Sequence, residues 1–295
     1  MKPAPFSYER PSTEAAVLER LAGHGQRAKL LAGGQSLMPM LALRLVRPDV
    51  VIDLGGLPDA DRLEEHDQEL KIGPLVRHQA VVDSALVRSK IPGLAQAAGW
   101  IGHREIRNRG TVLGSLAHAD PAAELPALAV ALGATLVCRS QKGERLLPAA
   151  EFFLGLFQTA LAEGEMLVSC HLPLNDLTAA SVFTEFALRD GDFALAAVAA
   201  SLLTTADGKV ASVRCAVAGM GPMPVFDPSA EQQLIGETAS EAVFTDFAHD
   251  LLSHAEPQDD LRASADYRLK LAASLIVEAL TESMAGGRKG GNARV

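Results

Sequence analysis

Apolar positions in the first third of the chain switch between a helical period and short continuous runs. Behind Ser12, the stretch TEAAVLERLA places Val17, Leu18 and Leu21 at helical spacing after an acidic first turn, which predicts an amphipathic helix capped by Ser12. Lys29 to Ala32 is a short apolar run ending in Gly33-Gly34. Ser36 then opens LMPMLALRLV, where Leu37, Met40, Leu41 and Arg44 suit a second helix with Pro39 in its first turn, a place where a missing N–H costs little. DVVIDL from Asp49 and ELKIG from Glu69 read as buried strands. Helical segments follow over Ala80 to Val87 and Pro92 to Trp100. The polar stretch HREIRNRGTVLGSLAHADPAAELPA is too rich in Gly, Asn and charge for core and reads as a long functional loop.

Strands are next expected at Ala134 to Arg139 and Met166 to Leu172, with Pro173, Asn175 and Asp176 marking a linker. Beyond it, two apolar runs, Ala194 to Thr205 and Val210 to Ala218, flank Ala206-Asp207-Gly208, a hairpin turn able to take positive φ. Val213, Cys215 and Val217 alternate as in a half-buried strand. From Ala239 the pattern turns helical, with Tyr267, Leu271, Leu275 and Ala279 on one face of a final helix. These periods predict an α+β protein: a first domain over 1–175, a smaller second domain of antiparallel sheet and helices over 176–285, and a flexible tail, GGRKGGNARV, over 286–295.

Composition narrows the class. With 295 residues the chain has room for two domains, and its net charge of −9 repels phosphate backbones and anionic lipid, so a nucleic-acid partner is not expected. No apolar run approaches the length a bilayer span requires, and a cytoplasmic protein is expected. Aromatics make up only 4%, so Ala, Val and Leu must build the core. Cys138, Cys170 and Cys215 are widely spaced and read as small buried hydrophobes; three cysteines cannot ligate an iron-sulfur cluster that needs four. No metal site is expected.

Two glycine-containing segments carry candidate chemistry. In Ala32-Gly33-Gly34-Gln35-Ser36-Leu37 a strand runs through two glycines into a helix start, where unbranched backbone can approach a ligand and free N–H groups favour an anion such as phosphate; a plain tight turn is the competing reading. In Gly110-Thr111-Val112-Leu113-Gly114-Ser115-Leu116, hydroxyls surround Gly114 and are followed by His118, Asp120 and Glu124. Such a set can wrap a pyrophosphate and hold ribose or ribityl hydroxyls. Asp120 before Pro121 is equally a helix N-terminus for a helix running to Leu132, and His118 has no partner nucleophile in view.

Together, Lys29 to Leu37, Asn108 to Thr111 and Gly114 to Pro121 resemble the FAD-binding medium subunit of molybdenum hydroxylases, the carbon monoxide dehydrogenase and xanthine dehydrogenase group. The likeness extends from Phe6-Ser7-Tyr8 and Pro11 through Glu165 to Pro173 and on to Arg189-Asp190-Gly191-Asp192-Phe193-Ala194. It implies a two-lobed FAD-binding domain of the vanillyl-alcohol oxidase type, both lobes α/β, followed by a smaller domain with an antiparallel sheet and helical bundle. It also implies that Lys29, Leu30, Leu31, Ala32, Gly33, Gly34, Gln35, Ser36 and Leu37 line FAD, with Gly33 to Ser36 on the pyrophosphate. Ile101, Thr111, Gly114 and Ser115 would complete the dinucleotide contacts. Glu124 falls where the family has an acidic residue on the flavin chain, Leu167 where a backbone group meets the ring, and Phe193 at an aromatic position that can cover it. Three departures stand out: Leu113 in place of a glycine, Glu124 one methylene longer than the usual Asp, and Glu185 where carbon monoxide dehydrogenase-like members tend to have Lys.

The function implied is electron transfer. A large partner subunit would hydroxylate substrate at a molybdenum-pterin cofactor, and electrons would pass through two-iron two-sulfur clusters of a small subunit to FAD here and on to an external acceptor, in a heterotrimer that dimerises. No residue of this chain is then catalytic toward the organic substrate, for which an N-heteroaromatic compound is expected from the wording around Ile101-Gly102-His103-Arg104 and Glu185-Phe186-Ala187. The alternatives are a single-chain FAD oxidoreductase of the enolpyruvoyl reductase type, and an assembly subunit that has lost its cofactor.

Overall fold

The structure, a computed structural model, describes residues 2–290, with side chains to residue 286. The first lobe runs β1 (Ser7–Glu9), α1 (Glu14–His24), β2 (Ala28–Leu31), α2 (Leu37–Ala42) and β3 (Val50–Asp53). Its three-stranded sheet has the order β1-β3-β2 and is parallel throughout. Val17, Leu18 and Leu21 bury one stripe of α1 on that sheet, as their spacing predicts. The cap, however, is Thr13, whose hydroxyl accepts from Ala16 N at 3.3 Å, one residue later than Ser12. The second helix is shorter than expected, because Arg44 takes a left-handed φ of 59° and turns the chain out of it.

The second lobe begins with β4 (Leu63–His66) and β5 (Glu69–Ile72), followed by α3 (His78–Asp83), α4 (Ala85–Lys90), α5 (Pro92–Trp100), α6 (Arg104–Arg107), α7 (Val112–His118) and α8 (Glu124–Ala131). It continues through β6 (Thr135–Ser140), β7 (Gly143–Pro148), α9 (Ala149–Phe152), the small hairpin β8 (Phe153–Gly155) and β9 (Gln158–Thr159), and β10 (Met166–Pro173). Its five-stranded sheet, order β4-β5-β10-β6-β7, is antiparallel, so only the first lobe has the parallel α/β character expected of both. The polar stretch after Trp100 is not a loop. It folds into α6, α7 and the start of α8, and Val112, Leu113 and Leu116 are core. The helix expected from Asp120 starts instead at Glu124; Asp120 holds a turn by accepting from Ala122 N at 3.0 Å.

The second domain follows a short helix, α10 (Asp176–Ala179), closed by a reciprocal cap between Asn175 and Thr178. Strands β11 (Val182–Phe186), β12 (Ala196–Thr204) and β13 (Val210–Ala218) form an antiparallel sheet, with the Asp207-Gly208 turn between the last two and Gly208 at φ 82°. Helices α11 (Pro228–Leu234), α12 (Glu241–Leu251) and α13 (Ala265–Gly290) cover one face. The period of two divides this sheet: Val182, Ala196, Val198 and Ala200 face those helices, whereas Phe183, Ala197, Ala199, Ala216 and Ala218 join the core of the second lobe against α5 and α8. The inner stripe of α13 is Arg268, Ala272, Leu275, Ile276 and Ala279, and Tyr267 is exposed, so the expected face is rotated by one residue at its start. The tail expected from residue 286 begins inside this helix, and residues 291–295 lie outside the described residues. All three cysteines are buried and unpaired. Among the described residues, no helix is long and apolar enough to cross a membrane.

Candidate functional site

The loop after β2 and the segment before α7 meet. A Cβ built on Gly33 would run into the carbonyl oxygen of Arg109 and come within 2.7 Å of Gly110 Cα, so backbone lies on backbone and no side chain fits between. The expectation was that glycine here leaves room for a ligand; its first role is to leave room for the opposite loop. Gly34 next to it has φ 75°, a left-handed conformation that turns the chain toward α2. The N–H groups of residues 33–36 have no acceptor among the described residues, while Gln35 Nε2 donates back to Gly33 O at 3.2 Å and fixes the turn.

The second segment is held from below. His78 N donates to Gly110 O at 3.1 Å, Val112 N donates to Val76 O at 3.0 Å, and the Arg77 guanidinium donates to Arg109 O. Thr111 caps α7 by accepting from Gly114 N at 3.1 Å, so that N–H is already satisfied. Arg107 donates to Gly99 O at 3.1 Å and Gly102 O at 2.7 Å, which pins the turn carrying Ile101. Across from that turn, Gly191 packs so closely on the His103 ring that a Cβ would lie 2.8 Å from Cε1.

These contacts frame a cavity of about 590 Å³ that reaches from the first lobe, past β10, to the second domain. Lys29, Leu30, Ala32, Gly33, Gly34, Gln35, Ser36 and Leu37 line it from one side, and Ile101, Thr111, Gly114, Ser115, His118, Asp120 and Glu124 from the other, with Leu167 and Phe193 completing it. Leu31 is not in the wall; its Cδ1 supports the loop from beneath, 3.1 Å from where a Gly34 Cβ would be. The sequence reading missed several wall residues, among them Met40, His78, Ile106, Phe157 and Met166. Ile106 and Phe157 had no signal, since an exposed apolar side chain in a four-residue helix or in a turn carries no period. Leu113, the departure from glycine, is both core and wall.

The electrostatics of the wall follow from its burial. His78 is pushed down to about 4 by burial, with Arg77 and Arg107 adding to the effect, so it is neutral, and its Nδ1 has no partner among the described residues. Burial also lowers His118, whose ring lies 5.0 Å from that of Phe157. Glu124 is 4% exposed and is pushed up to about 7 by burial, with Asp120 contributing further. Glu185, not predicted as a site residue, is pushed up to about 9 by burial and by Glu124. What the arrangement can do is bind an elongated ligand: free backbone N–H groups for an anion near Gly33 to Ser36, hydroxyl and carboxyl groups along α7 and α8, and apolar surface at Leu113, Leu167 and Phe193.

Comparison with known proteins agrees with that chemistry. Residues 4–175 match the family described as the FAD binding domain in molybdopterin dehydrogenase, and residues 181–283 match the CO dehydrogenase flavoprotein C-terminal domain. The chain is similar to the 6-hydroxypseudooxynicotine dehydrogenase complex subunit alpha of Paenarthrobacter nicotinovorans, at 35% identity over 96% of each chain. It is 36% identical to caffeine dehydrogenase subunit beta of Pseudomonas sp. strain CBB1, again over 96% of each. Among solved structures, carbon monoxide dehydrogenase from Hydrogenophaga pseudoflava superposes with a TM-score of 0.93 at 32% identity, covering 97% of this chain and 99% of that one. The two-lobed domain is thus an FAD-binding domain of the vanillyl-alcohol oxidase type, and the chain belongs to the FAD-binding medium subunits of molybdenum hydroxylases of the carbon monoxide dehydrogenase and xanthine dehydrogenase type, the flavoprotein subunits of oxidoreductase complexes.

Proposed function

We propose that the chain relays electrons: FAD held in the cavity receives them from two-iron two-sulfur clusters of a small partner subunit and delivers them to an external acceptor. A large partner subunit with a molybdenum-pterin cofactor hydroxylates the substrate, and the three chains form a heterotrimer that dimerises. The observation that carries this reading is the single cavity walled by both glycine segments and reaching the second domain. Bound FAD supplies one- and two-electron redox chemistry; this chain supplies position and electrostatics. The unpaired N–H groups of residues 33–36 would take the pyrophosphate, and the carboxyl groups of Asp120 and Glu124 would take hydroxyls of the flavin chain. Leu113, Leu167 and Phe193 would keep water from the ring.

An N-heteroaromatic substrate for the complex is supported by the name of the caffeine dehydrogenase subunit it resembles. A cytoplasmic location is consistent with three free cysteines and no disulfide. The test is purification of the full chain: it should be yellow, contain FAD in near-equal molar amount, accept electrons when illuminated with a photochemical donor, and leave N-heterocycles unchanged unless the partner subunits are added. Substrate turnover by this polypeptide alone would replace the relay with the single-chain oxidoreductase, and a colourless chain that refuses added FAD would leave an assembly subunit.

A further inference from the structure

At the seam between the FAD-binding domain and the second domain lie two buried acids with no cation beside them among the described residues. Glu185 is 7% exposed and neither of its carboxyl oxygens has a hydrogen-bond partner among the described residues. Leaving an ionised carboxylate in that position would cost several kcal/mol. Strand parity puts it on the face of β11 that carries Phe183, and in register it stands opposite Ala197 of β12, which in turn pairs with Ala218 of β13. That row of small residues is packed by α8, whose first residue is Glu124. The loop leading into Glu124 is tied to the same sheet, since Gly219 N donates to Pro121 O at 2.8 Å. Glu124 lines the cavity; Glu185 stands behind its wall.

Among the described residues, no other charge faces the pair closely enough to compensate it. Helix α5 packs on β11 and contains no ionisable side chain, and β12 contains none either. Glu124 is the only ionisable residue of α8. From α7 comes His118, which burial keeps toward its neutral form, and from the turn before α8 comes Asp120, another acid. On the opposite face of β11, the buried cation of α13 is Arg268, committed to Leu195 O at 2.9 Å and to Asp260 Oδ2 at 2.8 Å; the remaining ionisable side chains of α13 up to Glu282 are exposed.

We propose that Glu124 and Glu185 form one proton-holding pair in the wall of the FAD cavity, which keeps that wall uncharged and exchanges its proton with the redox state of the cofactor. Burial raises both carboxyls into the physiological range or above it, Glu185 the higher, so the pair retains a proton where an isolated carboxyl would have lost it. Negative charge placed in the cavity strengthens proton binding by the pair. By reciprocity, a protonated pair favours electron uptake and a deprotonated one opposes it. Glu124, in the wall, is the member the cofactor would sense directly, and Glu185 is a positioning residue that acts through it.

The inference rests on FAD occupying the cavity, and the experiment separates the two claims. In the full chain, the FAD midpoint potential is measured across neutral to mildly alkaline pH for the native protein, Glu185→Gln and Glu185→Asp, with visible absorbance as the check on loading. Glu185→Gln should keep its flavin but lose part of the pH dependence of the potential, and Glu185→Asp should restore it. Infrared spectra of the native chain at neutral pH should contain a protonated-carboxyl carbonyl band that shifts on flavin reduction and is altered in Glu185→Asp. Equal pH dependence in native protein and Glu185→Gln, or no such band in the native chain, overturns the proton pair while leaving the flavin reading intact. A native chain without bound FAD overturns the flavin reading instead; the carbonyl band of the flavin-free chain then still reports whether the pair holds a proton.

Discussion

Gly33 is constrained by the loop opposite it. Because a Cβ would meet the backbone of Arg109 and Gly110, which is itself bonded to the 76–78 segment, neither side can move cheaply. Gly33→Ala should therefore part the two loops at a cost of about 1–3 kcal/mol, an overpacking penalty, and take most of the bound FAD with it. Gly99→Ala is the control: it lies in α5 with nothing within 4 Å of the new Cβ, and should retain flavin. The flavin-to-protein absorbance ratio of the two variants reads the difference. These residues were legible in the sequence because glycine pairs before a helix have a restricted set of uses. Why glycine is needed was not legible, since the colliding atoms come from residues more than seventy positions away. His78 and Arg107 escaped for a similar reason: one buried neutral imidazole and one guanidinium clamping a turn leave no local pattern.

At the scale of elements, strands and long helices followed from period, while short capped helices did not. The 103–127 stretch looks polar because α6 and α7 are only 4 and 7 residues long: α6 buries no side chain, and α7 buries only Val112, Leu113 and Leu116. Helix α13 shows how a polar residue can hold two elements together. Ser283 is fully buried; its hydroxyl donates to Ala180 O at 2.7 Å and accepts from Leu202 N at 2.7 Å, joining α13 to β12 and to the end of α10. Ser283→Ala leaves a buried donor and a buried acceptor without their partner and should lower stability by about 1–3 kcal/mol. Thr281→Ala, which removes only a bond from an exposed hydroxyl to Val277 O, should change it little. Urea midpoints measured side by side distinguish the two.

For the whole molecule, the seam between domains decides how stability responds to pH. The same apolar cluster contains α5 and α8 of the FAD-binding domain and Phe183, Ala197 and Ala199 of the second, so the two are buried against each other and Glu124 and Glu185 are enclosed with them. In the unfolded chain both carboxyls ionise near pH 4.3, roughly the ordinary value for glutamate. In the folded chain burial raises them, to about 7 for Glu124 and about 9 for Glu185, so between these limits the folded state binds more protons than the unfolded one. Stability from this source is fully present at the acidic end of the window and falls as pH rises, by about 1.4 kcal/mol per pH unit for each proton retained only in the native state. Carboxylates held low by a cation, such as Glu165 beside Arg145, act in the opposite sense, but their contribution is already complete above the ordinary glutamate range and is lost only below it, outside this window. Glu185→Gln keeps the shape of the acid and removes its ionisation, so its stability relative to the native chain should rise steadily from mildly acidic to mildly alkaline solution. Denaturation curves of both proteins across that range give the slope, and parallel curves would mean that Glu185 meets a counter-charge when the chain folds.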